Sequence, residues 1–336
     1  VVAELSANHQ GSLERAGAII DAAAAAGAHA VKLQTYTADT MTLDLDEGDF
    51  VITDPKSPWH GYSLYRLYEE AHTPWAWHEE LFARCRERGL LCFSTPFDAT
   101  AVDFLEGLDP PCYKIASFEN TDVRLIQKVA ATGKPVIMST GMATIDELQL
   151  AVDSARGAGC EDLVLLACTS AYPADASEAN LRTMVDLGER FDVHVGLSDH
   201  TPGIGCSIAA VALGACVIER HVTLARADGG VDASFSLEPA EVATLVRECA
   251  RAFAALGEVR YGPTAGEEGS LQFRRSLYVC RDMKRGEALT DENMRAIRPG
   301  RGLPVRHHDA LLGRRVRADV RRGTPLSWDL LEDVVQ

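Results

Sequence analysis

The chain of 336 residues has no CxxC pair among its nine cysteines, no apolar run near membrane-spanning length, and too few cations to offset its acids. Each absence excludes something. Without a CxxC pair, and with an odd number of cysteines of which several lie inside apolar segments, the expectation is reduced, buried thiols rather than a disulfide framework or a zinc-cysteine site. The lack of a long apolar run argues against a membrane span, and the opening "VVAELSANHQG" shows neither a basic leader region nor a cleavage pattern, so a cytoplasmic protein is expected. The 33 basic residues face 49 acidic ones, a net charge of −16, which argues against a nucleic-acid surface or an acidic membrane as partner. An anionic substrate would need a local cluster of cations inside an acidic protein.

With 46% hydrophobic residues the chain can bury a substantial core, and its length fits one large domain and a small one. Eight short apolar or β-branched runs recur, at 1–5, 29–34, 90–94, 112–117, 135–139, 163–168, 193–198 and 215–220. Helix-like segments such as "SLERAGAIIDAAAAAG", "TPWAWHEELFARCRERG" and "TIDELQLAVDSARGAG" alternate with them, the last two ending at glycine. Eight strand-helix alternations before residue 256 point to an α/β fold, a parallel (β/α)8 TIM barrel, with a doubly wound sheet as the fallback. Residues 36–74 are too long for a simple connection and are expected to form a lid or a substrate wall. After the Gly-rich, acidic "RYGPTAGEEGS" the pattern changes. "DMKRGEALTDENM" and "DVRRGTPLSWDLL" form a weak internal repeat, read as a small, pseudo-symmetric, mostly β domain with little core of its own. The division is a barrel over 1–260, a linker over 261–273 and the small domain over 274–336.

In a (β/α)8 barrel the chemistry sits at the C-terminal strand ends. Lys32 in "AVKLQTY" and Lys114 in "CYKIASFE" lie in apolar strands and need partners, because a lone buried ammonium is costly. Salt bridges could satisfy them. With Thr95, Ser117, Ser139 and Ser198 arriving at the same face, an anionic phosphate or carboxylate ligand fits better. His200 in "GLSDHTPG" and His221 in "VIERHVTL" end adjacent strands, and paired imidazoles there suit an exchangeable divalent ion completed by water and substrate oxygens. Glu4 and Glu119 are the carboxylates expected to handle protons or water, although either could instead neutralise a lysine. Asp199, beside His200, is as readily a supporting or capping residue as a reactive one.

This constellation resembles the sialic acid synthase family over nearly the whole chain. The resemblance rests on "ANHQGS", "AVKLQTY", "STPFD", "KIASFE", "MSTGMA", "CTSAYP", "GLSDHT", "ALGACVIERHVT", "FSLEP" and "IRPGRG", in that order. It implies condensation of phosphoenolpyruvate with an acetamido sugar. His200 and His221 would hold a divalent metal, Mn2+ or alternatively Mg2+ or Co2+. Lys32, Thr95, Lys114, Ser117, Ser139, Ser170, Tyr172 and Ser198 would bind phosphoenolpyruvate, and Glu4 and Glu119 would be catalytic. Gln34 and Asp232 would contact the sugar. The small domain would be an antifreeze-like SAF (β-clip) domain, swapped across a homodimer so that Arg298 reaches the partner's site. "CTSAYP" and "ADGGVDASFSLEP" resemble the pseudaminic acid branch more than the N-acetylneuraminate branch, while Gln10 in "NHQG" replaces the family's Asn. Competing expectations are another acetamido sugar, a barrel condensing phosphoenolpyruvate with a phosphorylated sugar, and a sugar-binding protein without catalysis.

Overall fold

A computed structural model describes residues 1–55, 57 and 59–333. The chain divides into two compact units, Val1–Gly257 and Glu258–Gln336. In the first, eight parallel strands close into a barrel: β1 (Val2–Glu4), β2 (Ala30–Thr35), β3 (Leu91–Pro96), β4 (Tyr113–Ile115), β5 (Val136–Ser139), β6 (Leu163–Cys168), β7 (His194–Ser198) and β8 (Val217–His221). Every strand expected from the sequence is present, in sequential order, and β8 closes on β1 with Glu4 level with His221. Strand four is shorter than its apolar run, because Ser117–Glu119 turn into a 3-10 helix. Asn120 holds that turn by donating from Nδ2 to the carbonyls of Ser139 (3.3 Å) and Gly141 (3.1 Å).

Helices cover the barrel: α1 (Leu13–Ala25), α2 (Ala38–Met41), α3 (Leu64–Ala71), α4 (His78–Glu87), α5 (Ala99–Glu106), α6 (Val123–Ala130), α7 (Ile145–Gly157), α8 (Arg182–Phe191), α9 (Gly205–Ala212) and α10 (Pro239–Leu256). Their starts carry the expected caps. Ser12 accepts from the amide of Arg15, and Thr144 and Glu147 cap one another's backbone at α7. Outward strand residues such as Ala3, Val31 and Leu33 pack against the helices, whereas Val2, Ala30, Phe93, Ile137 and Leu166 fill the barrel interior. Gly196 is required in that interior layer, since a Cβ there would lie 2.3 Å from the Val217 carbonyl oxygen. The stretch 36–74 is more ordered than its sequence indicates. It carries α2 and α3, and Ile52 donates to the Tyr62 carbonyl at 2.9 Å beside an antiparallel bridge between Val51 and Ser63.

The second unit opens with a 3-10 helix, Ala265–Phe273, inside the stretch expected to be a linker, capped by Thr264 and Glu267. Strands β9 (Ser276–Val279) and β10 (Met294–Ile297) pair antiparallel. The two repeat segments pair with each other: Met283 and Val320 exchange backbone hydrogen bonds of 2.8 and 2.9 Å. The unit has its own apolar core, which includes Leu277, Val279, Met283, Met294, Val316 and Val320, so the expectation of little core is corrected. The repeat explains why, because each copy contributes one central apolar residue, Met283 or Val320, that the other covers. All nine cysteines are free thiols, and among the described residues no helix is long and apolar enough to cross a membrane.

Candidate active site

Side chains alternate along a strand, so residues two apart on β2 or β8 share the inner face. This places Lys32 and Gln34 together on β2 and Glu219 and His221 together on β8, where closure of the barrel brings them to Glu4 on β1. Lys32 Nζ lies 2.7 Å from Glu4 Oε2 and 3.3 Å from Glu219 Oε1, and it donates to Thr95 Oγ1 at 3.2 Å. Lys114 Nζ donates to Ser139 Oγ at 2.6 Å and to the Ile115 carbonyl at 3.2 Å, with Glu219 Oε1 at 4.0 Å. Ser198 also donates toward Glu219 at 3.4 Å. All four charged groups are buried.

The lysines therefore find protein carboxylates, the salt-bridge alternative that the sequence left open, and they do so unequally. Lys32 is matched by Glu4 and Glu219, because one inward position on β1 and one on β8 flank it. Lys114 has only a distant share of Glu219. Burial draws its pKa below the usual lysine value despite Glu219, and Lys32 adds repulsion. Burial opposes charge on Lys32 as well, but Glu219 and Glu4 outweigh it and raise its pKa. Glu219 is held low by Lys114 and Lys32 against its burial. Burial pushes Glu4 up to about 7 against the pull of Lys32. Glu119, on the turn after β4, is also pushed up to about 7 by burial, and its Oε2 accepts no hydrogen bond among the described residues.

Ser117 Oγ accepts from the Gly141 amide at 3.2 Å. A Cβ at Gly141 would stand 2.3 Å from Ser170 Oγ and 2.7 Å from Ser117 Oγ, so the glycine lets these hydroxyls converge. Ser170 is 3.7 Å from Cys168 Sγ, and neither Ser170 nor the fully buried Thr95 is part of the cavity lining itself.

The histidines face each other with ring centroids 5.3 Å apart, and Tyr172 stands 4.4 Å from the ring of His200. His200 Nδ1 lies 3.0 Å from the Thr169 carbonyl oxygen, which makes Nδ1 a donor, so that only the neutral ring has an acceptor at Nε2. Burial disfavours its charge, yet Cys168 and that carbonyl hold its pKa above the usual value. His221 is driven well below the ordinary imidazole value by burial and by the nearby cations, so it is neutral. Its buried Nδ1 has no hydrogen-bond partner among the described residues, and Asp232 Oδ2 is 4.0 Å away. Asp232 is fixed by the Ser6 hydroxyl and by the Ala7 amide at 3.4 Å. Among the described residues no group of three or more His, Cys, Asp or Glu is arranged to hold a metal ion. The protein thus offers two imidazoles, one of them neutral with an unengaged nitrogen, and these fit an ion whose other ligands are water and substrate oxygens. Asp199 does not touch the histidines. It pairs with Arg220 and caps the turn at Thr201.

These groups open onto a cavity of about 360 Å³ at the C-terminal end of the barrel. Gln34 and Asp232 line it, as do Tyr172 and both histidines. Arg298 lies in the second unit, exposed, just after β10. Several lining residues escaped the reading of the sequence. Cys168 was legible in principle, since it sits at an inward position two residues from the interior residue Leu166. Ser6 and Trp59 carried no local signal. Trp59 reaches the site by donating from Nε1 to the Val231 carbonyl at 3.2 Å.

A closed parallel barrel whose strand ends gather two lysines, three carboxylates and two imidazoles around one cavity defines a (β/α)8-barrel enzyme. The model of the NeuB family matches residues 19–261, and that of the SAF domain matches residues 274–332. The chain belongs to the NeuB family. It is 44% identical to a pseudaminic acid synthase of Helicobacter pylori, over 99% of this chain and 97% of that protein. It is 43% identical to a pseudaminic acid synthase of Campylobacter jejuni, over 97% of this chain and 94% of that one. The crystal structure of an N-acetylneuraminic acid (sialic acid) synthetase from Leptospira borgpetersenii, in complex with citrate, superposes with a TM-score of 0.71 at 32% identity, covering 81% of this chain and 90% of that one.

Proposed function

We propose that the protein condenses phosphoenolpyruvate with 2,4-diacetamido-2,4,6-trideoxy-L-altrose and water, releasing phosphate and forming pseudaminic acid, a nine-carbon α-keto acid. The observation that carries the reading is Lys114: a buried ammonium, served by Ser139 and the Ile115 carbonyl but only distantly by a carboxylate, beside the better-paired Lys32. Such a group is incomplete until an anion arrives. Two ammoniums ringed by serine and threonine hydroxyls match phosphoenolpyruvate, which carries both a phosphate and a carboxylate. The similarity to proteins named pseudaminic acid synthases supports the choice of sugar.

In this reading Lys32, Lys114 and the hydroxyls of Ser117, Ser139 and Ser198 hold phosphoenolpyruvate with C3 facing the open-chain aldehyde of the sugar. C3 bonds to the aldehyde carbon while the aldehyde oxygen takes a proton to become a hydroxyl, C2 becomes electron-poor, water adds to C2 and gives up a proton, and the C2–O bond to phosphate breaks as the new C2 hydroxyl loses its proton and becomes the ketone. Glu119, whose pKa burial pushes up to about 7, orients that water and takes its proton. Glu4 keeps Lys32 in place and places negative charge near the electron-poor C2. Gln34 and Asp232 bind the sugar. His200 and His221 would hold a divalent ion, Mn2+ in preference to Mg2+ or Co2+, whose chemistry is to polarise the aldehyde oxygen. Arg298 would act from the SAF domain of a second copy in a domain-swapped homodimer, and the enzyme would work in the cytoplasm.

The test is phosphate release from phosphoenolpyruvate with Mn2+, with the diacetamido-trideoxy-altrose or N-acetylmannosamine as acceptor, and with EDTA as control. Turnover with the altrose sugar that EDTA abolishes is expected. Turnover with N-acetylmannosamine alone would move the protein to the N-acetylneuraminate branch. Release with neither would leave a sugar-binding protein without this activity.

A further inference from the structure

The two lysines on the floor of the cavity differ in what their nitrogens have left to offer. Among the described residues Lys32 Nζ has Glu4 at 2.7 Å, Thr95 at 3.2 Å and Glu219 at 3.3 Å, which together take the three donors of an ammonium. Lys114 Nζ has Ser139 Oγ at 2.6 Å and the Ile115 carbonyl oxygen at 3.2 Å, and Glu219 stands off at 4.0 Å. A neutral lysine amine carries two N–H groups and one lone pair. Ser139 and Ile115 match the two N–H groups, so the lone pair is left uncommitted. Burial favours the neutral form and draws the pKa of Lys114 down, whereas at Lys32 the same burial is outweighed by Glu219 and Glu4. Both lysines line the cavity, and so does Glu119, whose buried Oε2 accepts no hydrogen bond among the described residues. A desolvated lysine with a free lone pair, opening on a cavity that also holds an unpartnered carboxyl group, is equipped to attack a carbonyl carbon.

We infer that Lys114 is a second reactive centre of this cavity and forms a reversible imine with small α-keto acids. The inference goes beyond the condensation proposed above, which makes no covalent bond to the protein, and it needs neither an acceptor sugar nor a divalent ion. Ser117 Oγ accepts from the Gly141 amide and Ser139 Oγ accepts from Lys114, so each hydroxyl keeps its own proton to donate to the carboxylate of the keto acid. The lone pair of Lys114 Nζ adds to C2, the C2–N bond forms, and the former carbonyl oxygen takes a proton to become a hydroxyl. Glu119 lends that hydroxyl a further proton and it leaves as water, while the nitrogen closes the C=N double bond and gives up its remaining proton. One amine and one ketone thus yield one imine and one water. Phosphoenolpyruvate, an anion without a ketone, would instead hold the same nitrogen charged, so the two ligands exclude one another.

The test incubates the wild-type full chain, freed of divalent ions with EDTA, with pyruvate and sodium cyanoborohydride, and maps the product by peptide mass spectrometry. The reductant delivers hydride to C2 of the imine and fixes it as a secondary amine. Label on Lys114 is expected to exceed that on Lys32 by about 10-fold or more, because one pH unit between two titrations is a tenfold difference in free amine. In guanidinium-unfolded protein the preference should vanish. No label on Lys114, equal label on the two lysines, or a preference that survives unfolding would overturn the inference. Saturating phosphoenolpyruvate should suppress the label. Label on Lys114 that it fails to suppress would leave the imine standing and overturn instead the placement of phosphoenolpyruvate on this lysine. A protein that releases phosphate with an acetamido sugar but takes no label keeps the proposed reaction and loses this inference.

Discussion

Arg220 Nη1 and Asp199 Oδ2 pair at 2.7 Å with each side chain 1% exposed, on the outer side of the strands whose inner side carries Glu219 and His221. Asp199 also accepts from Thr201 and Ser207, and Arg220 donates to the Thr201 carbonyl at 2.8 Å. The pair clamps the turn that presents His200. Removing one partner leaves a buried charge alone, so Asp199→Ala is expected to lower stability by about 3–5 kcal/mol, read by denaturant unfolding. A loss under 1 kcal/mol would mean that the pair is dispensable.

The two lysines should respond differently to the same substitution. Lys32→Met strands Glu4 and Glu219 together in the interior and is expected to destabilise the fold by about 3–5 kcal/mol. Among the described residues the carboxylate nearest Lys114 is Glu219 at 4.0 Å, so Lys114→Met should cost far less stability while raising the KM for phosphoenolpyruvate by at least 10-fold. Unfolding curves and initial rates on the two variants, side by side, decide this; equal destabilisation would contradict the asymmetry of the pairing.

Glu119 links the site to pH. Its pKa is raised by burial from an ordinary 4.5 to about 7 in the folded protein. A group whose pKa rises on folding stabilises fully below its unfolded value and loses that contribution as pH climbs through the folded one. Stability should therefore fall between pH 4.5 and 7 through this group, and Glu119→Gln should flatten that fall. Because the side chain is partly solvated, the variant should gain about 1–3 kcal/mol at pH 8, with turnover reduced at least 100-fold. Thermal midpoints of both proteins across that range give the comparison, and parallel profiles would rule out the shift.

Gln10 ties the opening of the site to the Asp232 loop. Its Nε2 donates to the Gly229 carbonyl at 2.5 Å, and Arg15 adds an ion pair to Asp228 at 2.9 Å. Gln10→Asn is one methylene too short to reach, so the sugar KM should rise several-fold with the phosphoenolpyruvate KM unchanged. An unaltered sugar KM would show that Arg15 and Trp59 hold the loop without it.

His221→Ala should abolish the divalent-ion-dependent turnover and leave the thermal midpoint within a few degrees of the wild type. Mn2+ titration by calorimetry alongside unfolding checks both halves, and undiminished Mn2+ binding would exclude His221 as a ligand.

The eight strands, their order and the barrel were legible in the sequence because apolar runs at regular spacing, separated by capped amphipathic helices, leave few ways to bury the apolar faces. The same alternation placed Glu4, Lys32, Lys114, His200 and His221 at one end of the barrel. The partnerships among them were decided only by tertiary structure. Glu219 sits between two lysines because barrel closure brings β8 against β1, a contact between residues more than two hundred positions apart that no local pattern encodes. The unengaged Nδ1 of His221 and the weak pairing of Lys114 depend on ångström-scale distances and on burial. Those are properties of the packed cavity, set by how the strands meet, and a pattern of residue types along the chain carries no measure of either.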